Sequence, residues 1–158
     1  MKFTNVKDYQ KYLETKVPKK VLKKTKKTVS RATMLVTGDA ISSIQAGGSG
    51  ESVQKYNPNR VHTQSKANNP PATDTGFLVS QITMNVKTEQ NGTVVGQIIS
   101  AAPYSKALEF GTVNMQPRPF MQPALNKNKK KIIQMFVDGG LIKWALVNLH
   151  YRQLFITH

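Results

Sequence analysis

Apolar residues recur through the first third of the chain at steps close to 3.6 or its multiples: Val6, Tyr9, Leu13, Val17, Val21, Val29, Ala32, Val36, Ala40 and Ile44. Such a stripe predicts a long amphipathic helix with its charged residues on the opposite side. Pro18 falls inside the run, so the expectation is a short leading helix to about Lys16 and a second from Pro18 to Ile44, roughly 40 Å long. Residues 45–76 have no sustained period. They contain Gly47-Gly48-Ser49-Gly50, Asn57-Pro58-Asn59 and Asn68-Asn69-Pro70-Pro71, which predicts a long polar loop.

Period two takes over beyond that loop. Leu78, Ile82, Met84 and Val86 form one apolar face, Asn91-Gly92 reads as a two-residue hairpin turn, and Thr93 to Ala101 returns with Val94, Val95, Ile98 and Ile99. A lone hairpin is marginal, so the long helix and a third or fourth strand are expected to cover it. Pro103 fits a first helical position and Gly111 the left-handed position after a helix end, giving a short helix over 103–110. A last helix runs from Phe120 or Pro123 to Asp138, with Met121, Leu125, Ile132 and Phe136 on one stripe and Gly139-Gly140 as its stop. The fold class is α+β: a long N-terminal helix packed on a small antiparallel sheet with a β-hairpin, plus two further helices. One domain is expected over 1–140, followed by an apolar extension over 141–158. Trp144, Tyr151 and Phe155 in that extension are typical interface anchors. It either folds back or docks on a partner, and docking is favoured.

Charge changes this picture more than size does. The 158 residues carry 23 Lys and Arg against 8 Asp and Glu, a net +15. Lys19, Lys20, Lys23, Lys24, Lys26 and Lys27 crowd the long helix, and Lys129 and Lys130 belong to a second cluster. These are candidates for facing DNA, set against the plainer reading that lysines simply solvate a helix. Aromatic residues are not interleaved among them, which favours attraction to phosphates over stacking on bases. The absence of cysteine excludes disulfides, thiolate metal sites and thiol nucleophiles. No apolar run is long enough for a membrane span and the charged start lacks the apolar core of a secretory signal, so a soluble protein made in the cytosol is expected.

Catalytic readings find little support. His62, His150 and His158 have no second histidine at ligand spacing, and the acids are scattered. Asp74, in Thr73-Asp74-Thr75-Gly76, reads as a turn former capping nearby amides. Gly47-Gly48-Ser49-Gly50 lacks the Lys-Ser or Lys-Thr of a nucleotide loop. No catalytic residue, metal ligand or cofactor is assigned, and a small metal-dependent nuclease is the weakest of the readings kept.

The most informative stretch is Tyr104-x-x-x-Leu108-Glu109-Phe110-Gly111-Thr112 followed by Arg118-Pro119-Phe120-x-x-Pro123-Ala124-Leu125. Glu109 falls in the last turn of a helix, where a negative charge is disfavoured by about 0.3–1 kcal/mol. It therefore needs a partner. Arg118 is the candidate, within or between subunits, because a guanidinium grips a carboxylate with two hydrogen bonds.

These residues, with Pro70-Pro71-Ala72-Thr73-Asp74-Thr75-Gly76-Phe77-Leu78 upstream, resemble the signature of tailed-bacteriophage neck proteins, also called minor tail, tail-completion or head–tail joining proteins. The likeness spans most of residues 1–138. It implies a structural virion protein, assembled in the host cytoplasm as a homo-oligomeric, hexameric ring. That ring would join head-side connector or stopper proteins to the tail tube around the DNA channel, as a neck layer or as the tail terminator. Tyr104, Leu108, Glu109, Phe110, Gly111, Arg118, Pro119 and Phe120 would lie at a subunit boundary or brace one. The competing reading, from charge alone, is a basic nucleic-acid-binding protein without sequence preference.

Overall fold

Between Thr15 and Val21 the chain offers no glycine, asparagine or aspartate to start a turn, and the apolar stripe keeps its phase across Pro18. In the computed structural model, which describes residues 6–141 and side chains from residue 18 onward, the whole stretch is accordingly one helix, α1 (Val6–Gln45), with Pro18 inside it. An internal proline costs a helix about 3 kcal/mol, and here it does not divide the element as the sequence pattern predicted. At 1.5 Å per residue, α1 is about 60 Å long. Among its described side chains, the buried residues, Ala32, Thr33, Val36, Ala40 and Ile44, lie in the C-terminal half. Lys19, Lys20, Lys23, Lys24, Lys26 and Lys27 are all exposed.

The segment expected to be a plain loop holds a hairpin, β1 (Ser52–Tyr56) and β2 (Asn59–Thr63), turning through a cis Asn57-Pro58 bond. Its signal is hidden because the outer face is mostly polar. Ser52 and Thr63 are hydrogen-bonded across it at 3.0 Å, and the Gln54 amide donates to Asn59.

Leu78 and Val79, expected to begin a strand, instead form the single helical turn α2 (Phe77–Ser80). Gly76 precedes it with φ 78°, a conformation glycine adopts freely. Next come β3 (Ile82–Thr88) and β4 (Val94–Ser100), paired antiparallel with Ile82 opposite Ser100 and Thr88 opposite Val94. Glu89 N–H still reaches the Thr93 carbonyl, so the turn is three residues, Gln90-Asn91-Gly92, with Gly92 at φ 81°. That is the type I turn plus left-handed glycine, the next most common hairpin after the two-residue form predicted. No third strand joins this pair among the described residues: the two hairpins are separate two-stranded sheets. What covers β3 and β4 is α1. Gly96 makes the approach possible, since a Cβ there would stand 2.1 Å from Thr33 Oγ1.

The short helix α3 (Ser105–Phe110) begins two residues after Pro103, which lies in the preceding turn. The last helix among the described residues, α4 (Met121–Asp138), ends as glycine chemistry dictates. Leu141 N–H bonds the Phe136 carbonyl, Gly140 N–H bonds that of Val137, and Gly140 has φ 65°, which together form a Schellman stop.

Helices α1 and α4 pack antiparallel. Asn128 meets Asp39 near one end, and Gly139 comes close to Thr28 at the other. The core lies between the C-terminal half of α1, the α2–β3 segment and the start of α4, around Ile44, Ala40, Leu78, Ile82, Phe120 and Ala124. Phe120 is almost completely enclosed and by itself contributes about 1.5–3 kcal/mol of apolar burial. Trp144, Tyr151 and Phe155 lie outside the described residues.

Candidate assembly corner between the two C-terminal helices

Helix α4 begins with three backbone N–H groups that no carbonyl of its own can satisfy. Glu109 supplies them from the preceding helix. One carboxylate oxygen accepts from Phe120 N (2.9 Å) and Met121 N (3.1 Å), and the other from Gln122 N (2.9 Å). The side chain is only 6% exposed. Its charge, misplaced at the end of α3, faces the positive end of α4 instead. The predicted partner, Arg118, is turned elsewhere: its Nε donates to the Ser65 carbonyl at 3.2 Å. A helix N-terminus answers a carboxylate with three aligned donors, and so displaces the guanidinium that sequence reasoning assigned.

The loop between the helices is closed by backbone bonds. Arg118 N–H donates to the Leu108 carbonyl (2.6 Å), Thr112 and Met115 exchange hydrogen bonds, and Asn68 N–H donates to Pro117 O (2.8 Å). Gly111, at φ 77°, leaves α3 through a gap that a Cβ would fill, with Met115 O at 2.8 Å. Buried within the corner are Glu109 and Phe120, while Leu108, Arg118 and Pro119 are half-buried. Outside it stand Tyr104, Phe110 (62% exposed) and the fully exposed Val113. The Phe77 and Tyr104 rings lie 6.2 Å apart and tilted.

A cleft of about 380 Å³ separates this corner from the β1–β2 hairpin, lined in part by Lys55, His62, Asp74, Tyr104 and Arg118. Asp74, expected to cap its own turn, reaches across to the hairpin. Lys55 Nζ and Arg60 Nη2 both donate to it, and His62 Nδ1 stands 3.8 Å away. The Lys55 hydrogen bond, then the Arg60 charge, hold the Asp74 carboxyl below its ordinary value. No sequence period links positions 55, 60 and 74, so this cluster left no local trace. A second polar node ties α1 to α4. Asn128, fully buried, donates to Asp39 Oδ2 (2.6 Å) and to the Ala124 carbonyl, while Lys127 approaches Asp39 at 3.3 Å. Asp39 is held below its ordinary value, chiefly by the Asn128 bond.

Residues 7–111 match the family described as "Bacteriophage HK97-gp10, putative tail-component". The chain belongs to the HK97-gp10-like family. The match covers well over half of the chain and includes the Pro70–Leu78 element and the Leu108–Gly111 end of α3. Membership of the HK97-gp10-like family makes this protein a structural component of a phage tail and assigns it to the virion. No match was found among curated proteins or among solved structures. Among the described residues of this HK97-gp10-like chain, no group of three or more His, Asp or Glu is placed to hold a metal ion.

Proposed function

We propose that this tail component forms a layer at the head-proximal end of the tail, in the neck or as the terminator. It assembles there as a hexameric ring that joins head-side connector or stopper proteins to the tail tube. A closed ring needs two different faces on each subunit that fit head to tail. The corner supplies one: Tyr104, Phe110 and Val113 are exposed on a frame fixed by Glu109. The outer face of the β1–β2 hairpin, with Tyr56 and Val61 exposed, is suited to be the other. Lys19, Lys23, Lys24, Lys26, Lys27 and Lys130 face solvent, and with Lys20 and Lys129 they would present positive charge to genome phosphates without reading sequence.

The observation that carries this reading is the exposed apolar corner on a rigid frame in a chain of the tail-component family. Light scattering of the purified protein at moderate and high salt, with negative-stain images of the same sample, tests it. Rings with a central opening, formed by the protein alone or on addition of its connector, are expected. A monomer that ignores the connector yet binds DNA tightly, with affinity collapsing as salt rises, would overturn it.

A further inference from the structure

A second cleft, of about 140 Å³, opens between α1, β4 and α4, and apolar side chains dominate its lining: Val29, Val36, Ile98, Ile132 and Phe136, with Gly96 at its floor. Covering an apolar lining of this kind with another apolar group removes its surface from water and is favourable. The described chain ends beside it. Leu141 N–H bonds the carbonyl of the lining residue Phe136, and Gly139 packs near Thr28, next to the lining residue Val29. The 17 residues that follow, 142–158, include Ile142, Trp144, Leu146, Val147, Leu149 and Phe155 and no acid.

We infer that the groove is the seat of this C-terminal extension, whose first apolar side chains, Trp144 foremost, enter it from the same subunit. Two things favour this occupant over a partner: the extension starts beside the groove, so closing the contact orders almost no intervening chain; and its apolar side chains Ile142, Trp144, Leu146 and Val147, interrupted only by Lys143 and Ala145, meet a lining without charge. Of the two alternatives the sequence leaves for this extension, folding back on the core or docking on a partner, the proposed seat takes the first for Trp144. Ring formation does not depend on this seat, and a negative result for one leaves the other standing.

Trp144 is the chain's single tryptophan, so its fluorescence reports the seat directly. In the full chain, emission is expected to be blue-shifted and several-fold protected from acrylamide quenching, equally so across a wide dilution series. Val29→Asp should shift emission to the red and abolish the protection, with circular dichroism unchanged. Phe136→Ala, which widens the groove without adding charge, should raise quenching part of the way, and the exposed Ile133→Asp should leave it alone. Water-like emission in the wild-type chain, protection lost on dilution as for a second copy, or protection indifferent to both groove variants would each overturn the inference.

Discussion

Removing the Glu109 carboxylate tests the corner most directly. In Glu109→Ala the N–H groups of Phe120 and Met121 lose their acceptor inside the protein, and that of Gln122 loses it near the surface. Loss of a helix N-cap costs about 0.5–2 kcal/mol. Hydrogen bonds to a charged group are worth about 1.5–3 kcal/mol, and this one acceptor serves three donors. Since those contributions overlap, the expected loss is about 3–4 kcal/mol rather than their sum. For a chain of this size that lowers Tm by about 6–16 °C. Urea unfolding of the purified subunit, with a thermal scan as a check, measures it. Glu109→Gln, which keeps an acceptor but turns an NH₂ toward the donors, should fall between. The same geometry denies rescue across the loop: Glu109→Arg is not repaired by Arg118→Glu, and the double reversal should be no more stable than Glu109→Arg alone. A loss under about 1 kcal/mol for Glu109→Ala, or clear rescue by the double reversal, would refute the capping account.

Gly96→Ala should destabilise the chain by about 1–3 kcal/mol through its collision with Thr33, and Thr33→Ala should restore part of that loss, read as a double-mutant cycle in urea. Because Asp39 titrates below its ordinary value, its charge stabilises fully above about pH 5 and the contribution drains away as pH falls through the folded-state pKa. The stability gap between wild type and Asp39→Ala should therefore narrow between neutral and strongly acidic urea titrations, and a constant gap would contradict the assignment. Asp74→Asn should speed amide hydrogen exchange across 52–63 while exchange in the α1 core stays unchanged. Phe110→Glu should leave the unfolding midpoint nearly unmoved and suppress ring assembly in light scattering.

Elements whose ends carry their own chemistry were legible in the sequence. Helix α4 runs close to its predicted bounds because Pro119 and the Gly139-Gly140 pair act through adjacent backbone. The β3–β4 pairing follows from alternation around Asn91-Gly92, and a one-residue change of loop length does not alter that alternation. Contacts between distant segments were not legible. Nothing near Glu109 advertises that its partner is a helix terminus eleven residues on, and the nearest cation, Arg118, was the natural local answer. The β1–β2 hairpin escaped notice because its outer face is closed by hydroxyl and amide pairs, which leave no period of two in hydrophobicity. Pro18 misled in the opposite direction: a strong local signal was outvoted by the six positions flanking it, which offer no alternative to a helix.

The Glu109 cap also separates two tasks that loops often combine. With one carboxylate fastening the end of α3 to the start of α4, and Arg118 N–H closing on Leu108, the relative placement of the helices no longer depends on the side chains at the loop tip. The tip at Val113 and Asn114, both exposed, is thereby released from holding the fold. Substitutions or short insertions there are tolerated by the fold beneath. In the proposed ring, this would let a phage lineage refit the subunit to a new neighbour by rewriting a few tip residues, with the scaffold inherited intact.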